Sequence, residues 1–178
     1  MKKLLVLSGN HVRNREWGEQ CAEFFRGDFD MTFYPHYDHW NVEGESIDME
    51  IELQKVKETV TGAGEADGWY VFAKSIGSVL ALLAIKRGII SPEKCVFFGM
   101  PLKIAEAEVT KEWAYLSSLT LPVLAFHNDH DPVADYEFTA QKLAELAPTI
   151  TLRTLSGDTH DYADFAAYAD EIRQFISS

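Results

Sequence analysis

Residues 69–85 constrain the fold most strongly, because they join an apolar strand-like run to an apolar helix-like run through a single turn. Residues 69–73 are β-prone, and residues 79–85 are apolar on nearly every side of a helix. A helix that is apolar all round must be buried. A strand, a turn and a buried helix in this order form the unit from which layered α/β folds are built.

The turn between these two runs carries one hydroxyl, Ser75, with the small residues Ala73 and Gly77 two positions away on each side. Bulky side chains at those positions would collide where a strand turns sharply into a helix, so the pattern is typical of a serine nucleophile on a strained turn. Ala73 departs from the usual G-x-S-x-G by one methyl group. An ordinary turn with Ser75 as helix N-cap fits the same residues. Ser78 is a rival hydroxyl, but about one turn into a helix such groups usually bond back to the backbone.

Strand-like runs alternate with helical ones along the chain, with no repeat or low-complexity segment between them. The predicted strands are residues 3–7, 30–34, 69–73, 94–98, 122–126 and 149–155. The predicted helices are one capped by Asn14, one opened by Ser46 with Ile47, Ile51, Val56 and Val60 on its core face, and those at 79–85, 135–146 and 163–176. This alternation predicts one α/β domain over residues 1–178, a three-layer α/β/α sandwich with a mainly parallel six-stranded sheet.

Composition narrows the expected partners. The chain has 178 residues, 47% of them hydrophobic, which is enough for one buried core. Its net charge of −12 disfavours nucleic acid and anionic membranes as partners. The apolar run at the N-terminus is too short for a signal peptide or a membrane span. Cys21 and Cys95 are expected to be buried, reduced thiols, which predicts a cytoplasmic protein.

Metal binding is disfavoured by spacing. His36 and His39 lie in one aromatic loop, but no third ligand accompanies them at a suitable distance in the sequence. We therefore expect no metal and no cofactor.

Two later loops carry groups that a serine nucleophile would need. Sites in parallel sheets form beyond the carboxyl ends of the strands, and residues 127–133 and 156–162 each follow a predicted strand. A serine needs a base to take its proton, and a carboxylate that holds the base in the correct tautomer. Asp131 and His160 are the candidates for the acid and the base.

Each of these two candidates has competitors in the loop at 127–133. Asp129 could replace Asp131, but the Asp-Pro sequence at the end of the loop favours Asp131. His127 and His130 precede the acid and are expected to be loop or packing residues.

Three motifs in this order resemble the α/β-hydrolase family: Ala73-x-Ser75-x-Gly77, Asp131-Pro132 after a strand, and Gly157-x-x-His160 before the last helix. The resemblance covers nearly the whole chain. It implies a compact member without the family's first two strands or a large cap, with strand order 2-1-3-4-5-6. It also implies cleavage of a small carboxylic ester, thioester or amide through an acyl-enzyme on Ser75. The oxyanion donors would be the N–H of Ile76 and one N–H from Asn10 or its neighbour, although the HGGG-type loop is absent.

A shallow substrate cleft is expected to be bordered by the short segment 102–119 and by Gly9, Asn10, His11, Tyr37 and Trp40. Tyr37 and Trp40 fit packing over the sheet edge equally well. Residues 102–119 are the only segment available as a cap, and they are too few for a closed acyl tunnel. Lys74 either meets an anionic substrate group or is an exposed structural lysine. The net charge of −12 disfavours acyl groups with an extra carboxylate.

Other classes of function fit the same pattern. A non-catalytic interaction protein on this scaffold is favoured if the triad is misaligned, and an acyltransferase is favoured if solvent is excluded from Ser75. A flavodoxin-like binding module is disfavoured, because residues 8–14 lack a phosphate-binding series of Gly, Ser and Thr. The expected partner is a small-molecule acyl substrate.

Overall fold

The structure, a computed structural model, describes residues 1–42, 46–64 and 68–178. Within these ranges the strands are β1 (Lys2–Leu7), β2 (Met31–Phe33), β3 (Gly68–Lys74), β4 (Pro92–Phe98), β5 (Val123–Asn128) and β6 (Ile150–Leu155). They form one six-stranded sheet in the order β2-β1-β3-β4-β5-β6. All neighbouring pairs are parallel. The predicted fold class and strand order are confirmed.

Helices follow the strands in the predicted alternation. They are α1 (Asn14–Phe24), α2 (Met49–Gly62), α3 (Ile76–Lys86), α4 (Leu102–Glu108), α5 (Ala114–Ser117), α6 (Tyr136–Leu146) and α7 (Phe165–Ser177). No helix in the described ranges is both long and apolar enough to cross a membrane.

Both faces of the sheet are covered, which makes three layers. Successive side chains of a strand point to opposite faces. In β1, Leu5 and Leu7 join the apolar cluster that includes α2 to α6, whereas Leu4 and Val6 join the cluster of α1 and α7. The strands are therefore apolar runs without strict alternation, as expected for a parallel sheet buried on two sides.

Two predicted helix starts differ from the structure. Helix α1 is capped by Arg13 without a side-chain hydrogen bond, whereas Asn14 is its first helical residue and accepts a hydrogen bond from Lys74 Nζ at 2.9 Å. Helix α2 begins at Met49, and the carboxylate of Asp48 accepts the N–H groups of its first turn. This later start leaves Ile51 48% exposed, while Leu53 and Val56 are buried.

The segment at 102–119 packs into the core beside α3 and α6. Leu102, Ala105 and Leu116 are fully buried, and Tyr115 is nearly so. Apolar side chains at these positions hold α4 and α5 down as part of the helical layer. The segment is therefore a packed layer element.

The sheet order reverses beside β1, and this reversal determines where a ligand-binding crevice is expected. Strand β1 lies between β2 and β3, with Leu7 opposite Ala73 in register. The loop after β1 and the turn after β3 consequently leave the sheet side by side at its carboxyl edge. Crevices at such a reversal point are where open α/β sheets bind ligands.

Candidate active site

Ser75 occupies a strained turn between β3 and α3. Its backbone has φ 53° and ψ −130°, a region that residues with a side chain seldom adopt. The Ser75 N–H donates to the carbonyl of Phe98 at 2.8 Å, which ties the turn to β4. A Cβ at Gly77 would lie 2.4 Å from the carbonyl oxygen of Leu7, so only glycine fits where α3 passes the end of β1. The small residue in the motif is explained by this crossing.

His160 is held by Asp131. The two residues come from the loops after β6 and β5, and His160 Nδ1 lies 2.7 Å from Asp131 Oδ2. Because an ionised carboxylate only accepts hydrogen bonds, this contact places the imidazole proton on Nδ1. The lone pair of the neutral ring is then on Nε2, which is the atom that a general base requires.

Asp131 is built as an anion. Its Oδ1 accepts the N–H groups of Val133 and Ala134, both at 2.8 Å, and its Oδ2 accepts the hydroxyl of Tyr162 at 2.6 Å. Burial would raise the pKa of Asp131, but the hydrogen bonds from His160, Ala134 and Tyr162 outweigh it and lower the pKa to about 2. The carboxylate therefore stays ionised while fully enclosed.

Tyr162 and Gly99 complete this arrangement, and sequence reasoning missed both. Tyr162 has φ 52°, and its hydroxyl also accepts the N–H of Asn128 at 2.9 Å. Gly99 has φ 56°, and a Cβ there would lie 2.9 Å from His160 Cε1 and 2.6 Å from Tyr162 Cε2. The one available signal was the glycine that ends β4, at the carboxyl edge where the site lies.

Ser75 and His160 line the same cavity, whose volume is about 540 Å³. Its lining comprises Asn10, His11, Arg13, Asn14, Glu16, Trp17, Gln20, Lys74, Ser75, Val133, His160, Asp161 and Ala163. His160 Nε2 is buried and has no hydrogen-bond partner among the described residues, Ser75 included. The nucleophile and the base thus share a cavity without a direct hydrogen bond.

Hydrogen bonds from the aromatic loop and from Ile47 hold Asn10 in place. Its carbonyl oxygen accepts His39 Nε2 at 2.6 Å and Trp40 Nε1 at 2.8 Å, and its side-chain oxygen accepts the N–H of Ile47 at 3.2 Å. Because a trans peptide points its C=O and N–H in opposite directions, these bonds also orient the N–H of His11. Asn10 and His11 both line the cavity.

Ile76 is the first residue of α3, so its N–H has no partner within the helix. It lies directly after Ser75, at the positive end of the helix dipole. The two predicted oxyanion residues, Ile76 and Asn10, therefore come from the two segments that meet at the reversal point.

The other predicted cleft residues are not part of the cavity lining. Tyr37 is 1% exposed, and its hydroxyl donates to the carbonyl of Ser8 at 2.9 Å. Trp40 packs on the Tyr37 ring at a centroid distance of 4.7 Å. Gly9 is buried, and a Cβ there would lie 2.6 Å from Asn14 Nδ2. Tyr37 and Trp40 therefore support the loop after β1, and packing is the alternative that their placement favours.

The competing loop residues have other contacts. Asp129 accepts the N–H of Gly157 at 3.1 Å and contacts His130 Nδ1 at 2.9 Å. His127 is buried, with Nε2 3.0 Å from the carbonyl oxygen of Ala134. Ser78 Oγ donates to the carbonyl of Ser75 at 2.6 Å. Among the carboxylates of this loop, Asp131 is the one that contacts His160.

Lys74, beside the nucleophile, is only 4% exposed, so the expectation of an exposed lysine is wrong. Its Nζ donates to Asn14 Oδ1 at 2.9 Å and lies 5.7 Å from the centroid of the Trp17 ring. Burial is the main influence and lowers the pKa of Lys74 to about 8, while Asp161 and Asp131 act to raise it and Arg13 to lower it. The cavity therefore contains a buried amine whose hydrogen-bond partner is a neutral amide.

Metal-ligating side chains do not gather in groups of three within the described ranges. His36 Nε2 lies 3.7 Å from Glu19 at the surface, whereas His39 bonds to Asn10. The two histidines thus have separate partners.

The α/β-hydrolase fold is defined by a parallel sheet that reverses beside β1, a strained serine turn after β3, and an acid and a histidine after β5 and β6. This chain has that fold. No protein-family model and no curated protein matches the sequence. Solved structures do match it. Est1E from Butyrivibrio proteoclasticus, with ferulic acid bound, is 16% identical at a TM-score of 0.74, over 99% of this chain and 88% of that one.

Two further solved structures show the same likeness. An α/β hydrolase from Sphaerobacter thermophilus is 20% identical at a TM-score of 0.68, over 98% of this chain and 93% of that one. A serine hydrolase without a lid from Xanthomonas campestris is 16% identical at a TM-score of 0.68, over 99% and 79%. The compact fold of this chain is therefore an established one.

Proposed function

We propose that this protein is a serine hydrolase that cleaves a small carboxylic ester, thioester or amide through an acyl-enzyme on Ser75. One observation carries the proposal: a serine at φ 53° shares a cavity with a histidine that is held at 2.7 Å to a buried carboxylate. A strained backbone of this kind costs roughly 1–3 kcal/mol and persists only where the surroundings impose it.

The acylation step follows from the tautomer of His160. Ser75 Oγ attacks the substrate carbonyl carbon while His160 Nε2 takes its proton, and Asp131 stabilises the imidazolium that forms. The imidazolium then gives that proton to the leaving alcohol, thiol or amine as its bond to the acyl carbon breaks. The acyl group remains as an ester on Oγ.

The negative charge that develops on the substrate oxygen needs donors close to Ser75. The N–H of Ile76, at the start of α3, is one donor, and the loop at Asn10 supplies the second. The bonds from His39 and Trp40 hold that loop in one position before substrate arrives. Such preorganised donors are worth about 10²- to 10³-fold each in kcat.

Water completes the cycle. His160 takes a proton from water, the water oxygen attacks the acyl carbon, and the proton passes to Oγ as the ester bond breaks. Exposed residues, including Asn10, His11 and Arg13, line the cavity and give water a path toward Ser75, which is itself only 8% exposed. This path for water favours hydrolysis over acyl transfer to another acceptor.

A non-catalytic interaction protein on the same fold is the second candidate. The observation that favours it is the missing hydrogen bond between Ser75 and His160 Nε2. In enzymes without substrate this contact is often long and tightens in the complex. Whether Ser75 reacts as a nucleophile therefore distinguishes the hydrolase from the non-catalytic protein.

A fluorophosphonate probe tests the proposal without any assumption about the substrate. We expect one adduct, mapped to Ser75 by mass spectrometry, and none in Ser75→Ala or His160→Ala. Ser78→Ala is the matched control and keeps the label. A folded wild-type protein that takes no label would overturn the hydrolase proposal in favour of the non-catalytic one.

A further inference from the structure

Lys74 is a buried lysine that contacts no counterion among residues 1–42, 46–64 and 68–178. It is 4% exposed, and no carboxylate among the described residues lies within 4.0 Å of its Nζ. Burying an unpaired charge is costly, so a lysine in this position needs a partner. The partner present, Asn14 Oδ1 at 2.9 Å, is neutral and uses one of the three N–H donors of the ammonium.

The position of Lys74 connects it to the reaction. It directly precedes Ser75 in sequence and lines the same cavity as Ser75 and His160. The Trp17 ring lies 5.7 Å from Nζ and offers its π face to the ammonium. Two donors remain for a group that enters the cavity beside the nucleophile.

We propose that Lys74 binds a carboxylate of the substrate, so that the hydrolase prefers esters that carry a second, anionic group. This inference rests on the proposed function and assigns its substrate class. A carboxylate matches one ammonium with two unused donors, since a hydrogen bond between charged groups contributes about 10- to 100-fold in binding. This proposal replaces the expectation drawn from the net charge of −12, because charges farther than about 10 Å away are screened by salt and a local ammonium then decides which group binds.

The other charges around the cavity are compatible with this assignment. Arg13 also lines the cavity and adds positive charge, while Glu16 and Asp161 are exposed at its rim. Asp161 and Asp131 favour the protonated amine, and Arg13 opposes it. Because burial brings the pKa of Lys74 to about 8, the amine loses its proton just above neutral pH when no anion is bound. A bound carboxylate would raise that pKa.

Two pairs of esters test the assignment, each differing by one carboxylate. Mono-p-nitrophenyl glutarate against p-nitrophenyl valerate places the charge on the acyl side. The compound 3-acetoxybenzoate against its methyl ester places it on the leaving side. We expect the wild type to prefer the charged member of one pair by about 10- to 100-fold in kcat/KM, mainly through KM. The preference should decline as the pH rises through about 8.

Two variants test whether Lys74 binds substrate or only stabilises the fold by its hydrogen bond to Asn14. Asn14→Asp supplies an internal counterion of the same shape, and we expect it to reduce the preference to about 1, as Lys74→Met does. If Lys74 only stabilises the fold, Asn14→Asp should strengthen its contact with residue 14 and leave the preference for charged esters unchanged. Gln20→Glu is the control, because it adds the same charge to the cavity lining without a contact to Lys74.

The outcomes are distinct from those of the hydrolase proposal. A wild type that hydrolyses neutral esters but prefers neither charged ester, or whose preference survives Asn14→Asp, overturns the assignment of Lys74. If no ester is turned over, calorimetry with glutarate still tests whether Lys74 forms a carboxylate site. Binding to the wild type that is lost in Asn14→Asp supports the carboxylate site, and no binding overturns it.

Discussion

In two pairs of the described residues a histidine contacts a buried carboxylate, His160–Asp131 and His39–Glu52, and the two pairs differ in which ring nitrogen holds the proton. His160 donates Nδ1–H to Asp131 at 2.7 Å, which leaves the lone pair of Nε2 for the cavity. His39 directs Nε2–H to the carbonyl of Asn10 at 2.6 Å, and its Nδ1 lies 3.9 Å from Glu52. The first ring can take a proton from a neighbour, whereas the second has its donor committed to the backbone.

Asp131 and Glu52 also differ in how well hydrogen bonds stabilise their ionised forms. Asp131 receives fixed donors on both oxygens, and its pKa is lowered to about 2. Burial raises the pKa of Glu52, despite the N–H of Asp38 at 2.9 Å and Lys55 nearby, and Glu52 Oε2 has no hydrogen-bond partner in the described structure. A histidine beside a carboxylate therefore indicates a base only when the carboxylate is satisfied as an anion and the second ring nitrogen faces a cavity.

Removing the nucleophile or the base should have the largest effect. We expect Ser75→Ala and His160→Ala each to lower kcat on p-nitrophenyl acetate by about 10⁴- to 10⁶-fold, and the double variant to be little worse, because the residues act as a unit. His39→Gln keeps an N–H donor toward Asn10, so its loss should stay within about 10-fold. Equal losses at His160 and His39 would remove the distinction between the two pairs.

Removing each carboxylate should have the next largest effect. Asp131→Asn allows the wrong imidazole tautomer, and we expect kcat to fall by about 10³- to 10⁴-fold. Asp129→Asn is the control in the same loop and should change kcat by less than about 3-fold, because Asp129 does not contact His160. Glu52→Gln should retain activity. A larger loss for Asp129→Asn than for Asp131→Asn would move the acid to Asp129.

The pH dependence of stability should have opposite signs at the two carboxylates. The pKa of Asp131 is lowered from 3.8 to about 2, so the folded state gains roughly 2 kcal/mol above pH 4 and loses it as the pH falls to 2. The raised pKa of Glu52 costs stability at neutral pH instead. Urea unfolding at pH 7 should show Asp131→Asn less stable than the wild type and Glu52→Gln at least as stable. Tyr162→Phe, which removes one donor to Asp131, should fall between the wild type and Asp131→Asn.

Acyl chain length should have the smallest effect, and it tests the cavity in front of His160. Residues 102–119 do not contribute to its lining, so few methylenes are buried there at about 0.8 kcal/mol each. We expect kcat/KM for p-nitrophenyl esters to peak between about C2 and C6 and to fall several-fold beyond. A rate that rises through long-chain esters would show that this segment moves over the site.

Local patterns predicted much of the fold and the identity of the candidate triad. Apolar runs of the right length predicted the strands, because a parallel strand buried on both faces needs side chains that are apolar throughout. Ala73, Ser75 and Gly77 predicted the strained turn, because crossing β1 permits only small side chains beside it. The contacts of His160 distinguish Asp131 from Asp129, although the catalytic roles stay predictions until they are measured.

Longer-range contacts decided what sequence reasoning missed. Tyr162 was unremarkable in sequence, yet its hydroxyl reaches Asp131, 31 positions earlier in the chain. Asn14 resembled a helix cap, but its side chain bonds to Lys74, 60 positions later. Residues 102–119 were the only segment available as a cap and were expected to border the cleft, but they pack into the helical layer and do not line the cavity.

The sequence by itself determined the order of elements and the residue types that follow the strands, whereas the order of strands in the sheet came only from the resemblance to the α/β-hydrolase family. The order of elements and these residue types depend on periodicity and steric limits that act over a few residues. Only the tertiary structure decided which nitrogen of each histidine carries the proton, that Asp131 is satisfied as an anion, and that Lys74 is buried without contact to a carboxylate of the described residues. Those properties depend on hydrogen bonds and desolvation between segments far apart in the chain, and no local pattern encodes them.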